Sequence, residues 1–410
     1  MRVLIVSQYF WPENFRINAL VESLVEKGIQ VEVLTGKPNY PEGVIANGYK
    51  ACGTKTEVWE GALIHRVPLI PRGRNSPARL ILNYFSFIIF GTLSGISLLR
   101  RNRFDAVFVY CPSPILSAIP ALLIGWLKKS PVIIWVQDLW PESLSATGYV
   151  KNGFVLGAVR QVVKLIYKHA KLILVQSHAF IEPVKILAPF TPIQYYPNSV
   201  DESFALPANT PPPSVAGLEQ GFSVMFAGNI GAAQAVDVIV GAANILKEYK
   251  DIHFVVLGDG SSRNDMLKAV HDLGLNNLHL PGRFPVETMP SFMQKASALL
   301  VTLADRPIFA ATVPNKVQAY LASGKPIIAC LNGEGAKIVT AASAGIATPA
   351  EDASALSKAI LELYNLTPEE RSQMGNNGLR YYHEHFEHEK LVHQLIQILE
   401  NTANNAKDSQ

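Results

Sequence analysis

Short, unbroken apolar runs alternate with helical stretches from the first residue onward, and no other feature narrows the fold so far. The run "VLIVS" (3–7) leads into a helical stretch near 14–27 that stops at Gly28, and "VEVLT" (31–35) follows. Further runs stand at 106–110, 132–136 and 172–176, each followed by a polar or proline-bearing loop and a helical pattern. Runs that are continuous rather than alternating mean strands covered on both faces, hence a parallel sheet flanked by helices. The pattern breaks over 203–221, rich in Pro, Ala and Gly, which reads as a linker. The same grammar then restarts, with strands expected at 223–228, 253–260, 278–283, 298–302 and 326–330.

The expected fold class is therefore α/β, with two doubly wound units at 1–202 and 222–385. Their strand ends would face a central cleft, where open parallel sheets bind ligands. A last helix within 386–410 is amphipathic, with apolar residues at 391, 392, 395, 396, 398 and 399. It is expected to cross back to the first unit, and the tail "TANNAKDSQ" reads as disordered.

The bulk numbers remove several classes. Charged residues make up only 17% and hydrophobic ones 49%, which excludes a disordered chain. A net charge of +3 and the absence of any RNA or DNA motif argue against nucleic acid as a partner. Three cysteines, Cys52, Cys111 and Cys330, lie too far apart in sequence for a metal or disulfide framework, which fits a reducing cytoplasm. The N-terminus reads as a buried strand, not a signal peptide.

One segment stands apart. From Leu80 to Leu99 there is no charge, a length that could cross a bilayer. Yet Asn83, Ser86, Ser94 and Ser97 fall near one helical face, and Arg72, Arg74, Arg79, Arg100, Arg101 and Arg103 flank both ends. A buried helix, an in-plane helix on anionic lipid and a true span all remain open.

The candidate chemistry sits at strand ends. In the second unit "FAGNIGAAQ" offers Gly228 and Gly231, which let the backbone approach a ligand. "GDG" (258–260) and "LPGRF", with Arg283, are further strand-end loops. "ADRPIFAATVPNKV" runs from a loop bearing Arg306 into a helix, with Thr312 as its expected cap and Pro314 near its first turn. Lys316 falls in that first turn. A helix start is already electropositive, so a cation there implies an anion nearby, and the free N–H groups make a phosphate site. In the first unit, Asp138 and Glu142 follow an apolar strand, and a carboxylate there could orient a hydroxyl or accept a proton. Glu13, Asn14 and Arg16 sit in the first strand-to-helix loop, and "TGKPNYPEG" (35–43) forms another. The histidines of "YYHEHFEHE" (381–389) lie on a polar helix beyond both sheets and read as a solvated face, not a metal site.

The pieces "YFWPE", "LTGKPNYPEG", "VQDLWPES", "FAGNIGAAQ", "LPGRFPVETMP" and "VPNKVQAYLASGKPIIA" together resemble glycosyltransferase family 4, of the two-domain GT-B fold. More narrowly they resemble the WbuB-type L-fucosamine transferases of bacterial O-antigen gene clusters. The resemblance implies a hexosyltransferase with a UDP-sugar donor, UDP-N-acetyl-L-fucosamine for this type. The acceptor it implies is a saccharide on a polyprenyl diphosphate at the inner-membrane surface. No cofactor or metal is implied, because protein groups neutralise the leaving diphosphate. Donor contacts would come from Gly228, Asn229, Gln234, Gly258, Asp259, Gly260, Arg283, Phe284, Arg306, Thr312, Asn315 and Lys316. Acceptor contacts would come from Glu13, Asn14, Arg16, Asn39, Tyr40 and Glu142, with Asp138 and Lys316 as the catalytic pair.

The departures from the family pattern are specific. Its diphosphate-binding Arg and Lys fall here on the neutral Asn229 and Gln234, its two glutamates on Ala311 and Ala319, and its strand-end histidine on Gln137. With both usual cations gone, Lys316, the helix amides and Arg283 or Arg306 are the groups left to stabilise the diphosphate, and the cation is expected to have migrated to Lys316. A nucleotide-sugar epimerase of the same shape and an inactive scaffold of a polysaccharide-assembly complex are the competing readings.

Overall fold

A computed structural model describes residues 1–74, 76–146, 152–200, 202–206 and 211–408. The chain divides into two units, Met1–Pro197 with Glu389–Gln410, and Asn198–His388.

The first unit holds strands β1 (Arg2–Val6), β2 (Gln30–Thr35), β3 (Lys55–Trp59), β4 (Ala62–Arg66), β5 (Ala106–Cys111), β6 (Val132–Val136), β7 (Leu172–Val175) and β8 (Ile193–Tyr195). Its helices are α1 (Arg16–Glu26), α2 (Pro77–Leu98), α3 (Ala118–Lys128), α4 (Glu142–Ala146), α5 (Gly153–Lys168) and α6 (Ile181–Leu187). The eight strands run in the order β3-β4-β2-β1-β5-β6-β7-β8. β3 and β4 pair antiparallel and the other neighbours parallel. β5 and β6 are buried along their whole length, the outcome continuous apolar runs predict.

The second unit holds β9 (Phe222–Ala227), β10 (Ile252–Leu257), β11 (Leu278–Gly282), β12 (Ala298–Thr302), β13 (Ile327–Cys330) and β14 (Gly345–Thr348). Its helices are α7 (Asp237–Ile245), α8 (Arg263–Asp272), α9 (Met289–Lys295), α10 (Pro307–Ala311), α11 (Asn315–Ala322), α12 (Glu334–Ala341), α13 (Ala353–Asn365) and α14 (Pro368–His385). The six strands run β11-β10-β9-β12-β13-β14, all parallel. Strand order reverses between β1 and β5 in one sheet and between β9 and β12 in the other, the points where doubly wound sheets open for ligands.

The last helix, α15 (His388–Lys407), buries Leu391, Val392, Leu395, Ile398 and Leu399 in the core of the first unit. Tyr196 donates its hydroxyl to the Leu391 carbonyl at 2.9 Å. The tail expected to be disordered is helical through Lys407, because Thr402 and Ala403 are still buried. The stretch 203–221 is no bare tether: Val215 and Leu218 lie in the second unit's core beside Val200. Of that stretch, 207–210 lie outside the described residues.

Helix α2 departs from ordinary amphipathicity. Ser76 caps it through the Arg79 amide, and Pro77 opens it. Its buried face is the polar and small one: Asn83, Ser86, Phe87, Gly91 and Gly95. Asn83 accepts from Gln8 Nε2 at 2.7 Å and donates to the Ile70 carbonyl at 2.6 Å. Gly91 and Gly95 let Pro120, Leu34 and Ile124 approach. Its large apolar residues face outward instead: Ile81, Leu82, Phe85, Ile89 and Leu93 are each half or more exposed. Of the polar residues that share one helical face, Ser97 is exposed, because the helix ends one residue later at Leu98.

Candidate functional site

In the second unit the loops after β9, β10 and β12 interlock at the strand-order reversal. The Gly228 amide donates to the Leu257 carbonyl at 2.8 Å, Ile230 to Asp259 at 2.8 Å, and Ser262 to Ile230 at 2.9 Å. Backbone packs on backbone: a Cβ on Gly258 would stand 1.8 Å from the Gly228 oxygen, and φ there is +148°. Only glycine permits that approach.

Lys316 enters this nest from the first turn of α11. Its ammonium donates to Gln234 Oε1 at 2.6 Å and sits 3.6 Å from the centroid of the Phe226 ring. Its Cε and Nζ lie 2.6 and 2.9 Å from where a Cβ on Gly228 would be, so Gly228 makes room for the lysine as well as for a ligand. One turn on, Tyr320 accepts from the Ala227 amide at 3.2 Å. Lys316 and Tyr320, four residues apart on one helix face, thus fasten α11 to the end of β9. Burial pushes the Lys316 pKa down to about 7, and among the described residues no carboxylate forms an ion pair with it. A glutamine oxygen and an aromatic face hold the cation without neutralising it. The charge is left for something else to satisfy.

The other expected donor contacts divide. Asn229, Gly258, Asp259 and Gly260 belong to the interlocked loops. Asp259 also accepts the Gly260 amide at 2.8 Å through its own carboxylate. Arg283 is exposed beside Gly282, whose carbonyl accepts the Gly258 amide at 2.8 Å. Arg306 and Asn315 are exposed at the starts of α10 and α11. One expectation fails. Thr312 does not cap α11: it ends α10 and turns its hydroxyl back to the Ile308 carbonyl at 2.8 Å, leaving Pro314 as a cap with no side-chain bond. Phe284 packs on Phe292, ring centroids 4.8 Å apart, against the unit's core. Sequence reading also passed over Glu334, a buried carboxylate at the start of α12. Its neighbours Gly333 and Gly335 press on Ala310 and Pro314 of the loop that carries Lys316, which could be seen only once β13 lay beside β12.

In the first unit the expected acceptor residues are mostly bound up in the protein. Glu13 accepts the amides of Asn39 (2.7 Å), Tyr40 (2.7 Å) and Phe10 (3.1 Å). Burial raises its pKa, and those amides oppose the rise. Asn39 accepts the Arg72 amide at 3.0 Å and donates to the Lys37 carbonyl at 3.1 Å. Both therefore build the loops and do not reach out from them, a correction to their expected role. Tyr40 is half-exposed, with Arg72 4.9 Å from its ring centroid and Phe15 5.2 Å away. Asn14 is exposed, and Arg16 opens α1 with its pKa lowered by burial. Asp138 lies past β6, accepting from the Ser143 hydroxyl. Burial pushes its pKa up to about 6 against the Ser143, Leu139 and Trp140 hydrogen bonds. The buried Nε2 of Gln137 beside it has no acceptor among the described residues. Glu142 is exposed at the start of α4. Among the described residues no three His, Cys, Asp or Glu side chains gather as a metal site would need.

Known proteins place this geometry. Residues 14–198 match the Glycosyl transferase 4-like domain, and residues 221–366 match Glycosyl transferases group 1. The chain belongs to the glycosyltransferases. WcaI of Escherichia coli (strain K12), named as a glycosyl transferase of colanic acid biosynthesis, is 23% identical over 347 residues, 79% of this chain and 82% of its own. The uncharacterized glycosyltransferase MJ1178 of Methanocaldococcus jannaschii is 27% identical over 176 residues, 43% of this chain and 47% of its own. Among solved structures, HepE of Anabaena in complex with UDP superposes with a TM-score of 0.73 at 12% identity, covering 98% of this glycosyltransferase and 100% of that chain. The sucrose-phosphate synthase of Thermosynechococcus elongatus gives 0.72 at 15% identity, covering 98% of each chain. The fold is GT-B, with two Rossmann-like α/β domains.

Proposed function

We propose that this glycosyltransferase moves a hexosyl group, in the narrowest form N-acetyl-L-fucosamine, from a UDP-sugar to a saccharide carried on a polyprenyl diphosphate. The product would serve O-antigen or another surface polysaccharide. The observation that carries the donor half is Lys316: a largely buried ammonium at a helix start, over glycine backbone, with no carboxylate paired to it among the described residues. A leaving diphosphate is the anion such a group can stabilise, together with the first amides of α11. The UDP named with HepE and the colanic acid biosynthesis named with WcaI support that reading. The chemistry asks for no metal, since Lys316 and backbone dipoles take the developing charge. Asp138 would take the proton of the acceptor hydroxyl. With a pKa near 6 it is ionised at neutral pH and still basic enough to accept.

The acceptor's lipid gives α2 its role. The outward apolar face of α2 stands beside α3, on which Leu123, Trp126 and Leu127 are exposed. Residues 61–200 carry fifteen Lys and Arg against four Asp and Glu, a local net of +11 in a chain whose total is +3. An apolar face with a basic surround suits peripheral docking on the anionic inner face of the cytoplasmic membrane.

The test is incubation with a panel of UDP-sugars, UDP-N-acetyl-L-fucosamine among them, and a polyprenyl-diphosphate saccharide, read by mass. A mass increase of one sugar on the lipid is expected. Free sugar-nucleotide product without transfer would favour an epimerase, and no binding of UDP at all would favour a scaffold.

A further inference from the structure

A second lysine lies low in the protein with no anion bonded to it among the described residues. Lys37 follows β2 and is only 3% exposed. Among the described residues its ammonium makes no hydrogen bond or ion pair, although its carbonyl is bound by Asn39. Its charged neighbours make matters worse. The Arg66 guanidinium, fully buried at the end of β4, and the Lys55 ammonium of β3 both act against its charge. The carboxylate that offsets them is Glu57, and it is already spent. One Glu57 oxygen takes Arg66 Nε and the Tyr49 hydroxyl (3.0 Å), and the other takes Lys55 Nζ at 2.7 Å. The Tyr49 ring lies between the two cations, 4.3 Å from Lys55 Nζ and 4.9 Å from the Arg66 guanidinium carbon. Three cations share Glu57 as their one bonded carboxylate, with Glu13 acting on Arg66 from further off, so positive charge is in excess around Lys37.

Excess positive charge around a low-lying, unbonded lysine favours an anion there. The cover over it is thin. Ala46 donates to the Pro38 carbonyl at 2.9 Å and Leu69 to the Ala51 carbonyl at 3.0 Å, tying 46–51 to the neighbouring loops. Residues 50–56 are all exposed. The cluster also sits beside the β1 and β2 ends, the edge where a doubly wound sheet takes ligands.

Arg66 itself is held by Glu57 and the Gly36 and Trp11 carbonyls. We propose that Lys37 and Lys55, with the buried charge of Arg66 behind them, form a diphosphate-binding site in the first unit, and that in the working enzyme it holds the diphosphate of the acceptor lipid. The second clause rests on the transfer reaction proposed above; the first does not. A diphosphate carries the two or more negative charges that balance the cluster, and lysine binds phosphate oxygens as a point charge. The acceptor's anionic link would thus be held by a lysine of one unit and the donor's by a lysine of the other.

The probe is inorganic pyrophosphate, followed by calorimetry and thermal shift on full-length Lys316→Met protein, so that the donor site is out of play. Pyrophosphate is expected to bind and raise the melting temperature, and the added Lys37→Met is expected to weaken it at least tenfold. Lys37→Arg should recover most of the affinity, since it restores the charge. Pyrophosphate binding unchanged by Lys37→Met, or no binding to the Lys316→Met protein, overturns the site. A short prenyl diphosphate in micelles separates the two sources of the anion. Tighter binding than pyrophosphate, lost in Lys37→Met, supports the acceptor assignment. Equal affinity for the two overturns that assignment and leaves a site for free diphosphate. UDP binding to protein bearing Lys37→Met alone reads the donor site separately, so failure of one proposal is not failure of the other.

Discussion

The two units use the same doubly wound sheet but finish its ligand edge in opposite ways. In the second unit the loops are glycine and backbone: a carbonyl of one loop sits where Gly258 would carry a Cβ, and a single lysine is let in. In the first unit the loops after β1 and β2 are held by side chains. Glu13 gathers three amides, and Tyr9, Phe15 and Tyr40 stack with centroids 5.2 to 5.8 Å apart. Bare amides with a point charge suit a phosphate. Aromatic rings and fixed polar groups suit a sugar and its aglycone. The difference therefore divides the proposed reaction into a donor half and an acceptor half.

The largest expected effect breaks the donor half. Lys316→Met should lower turnover by roughly 100-fold or more, as losing a key electrostatic contact does, and abolish the UDP-induced rise in melting temperature. The fold should survive and gain in stability, since the variant removes a desolvated cation. Wild-type turnover in this variant would sink the assignment. Asp138→Asn tests the acceptor half, with a loss of about 100-fold expected for a missing proton acceptor. In the wild type the rate should fall as pH drops through about 6, where Asp138 protonates. The variant's residual rate should lack that limb. A variant that keeps both its rate and its acid limb would leave Asp138 as a turn residue bonded to Ser143.

Glu13→Ala should act on the fold, not the chemistry. Three amides would lose their acceptor, at about 1 kcal/mol or more each, so a destabilisation of roughly 3 kcal/mol is expected by chemical denaturation. A raised KM with unchanged stability would return Glu13 to the acceptor contacts.

That reversal shows what the sequence carried and what it did not. Strands such as β5, β6 and β9 were legible because a strand covered on both faces must be apolar throughout. The edge strands β3, β8 and β14 were not, since "KTEVW", "IQY" and "GIAT" are short or polar and at most partly buried along most of their length. Lys316 was legible from helix electrostatics alone, but its partner was not. Gln234 lies 82 residues away, and only the adjacency of β9 and β12 brings the two together. The same adjacency explains why a glutamine stands where the family resemblance expects a cation: a second positive charge there would lie against Lys316. Glu13 and Asn39 were picked by residue type and place, and nothing local says that a loop carboxylate turns inward to collect amides from another loop.

A pH series sharpens the comparison more gently. Lys316 has its pKa lowered to about 7, so the folded protein binds fewer protons than the unfolded chain, and stability falls as pH drops from about 10 toward 7. A bound diphosphate favours the ammonium and must draw a proton in. UDP affinity should therefore decline severalfold for each pH unit above 7, where the nucleotide's own phosphates are already ionised. Calorimetry in buffers of different ionisation enthalpy should show the uptake, and Lys316→Met should show neither effect. A flat profile in the wild type would mean the lysine is already charged by another route.

The smallest expected effect on stability comes from α2, and its smallness is the point. Ile89 and Leu93 are 52% and 65% exposed, so Ile89→Glu and Leu93→Glu should change stability by no more than about 0.5 kcal/mol. A core helix treated this way would unfold. The inner face would respond in the opposite sense: Asn83→Leu strands the amide of Gln8 and the carbonyl of Ile70 that now bond to it, and should cost roughly 2 kcal/mol. If the two glutamates leave stability alone yet remove binding to vesicles containing anionic lipid, the outward hydrocarbon serves the bilayer. If they leave vesicle binding alone as well, the acceptor must be drawn from the membrane by some other surface, and the division of labour between the units loses its lipid side while keeping its phosphate side.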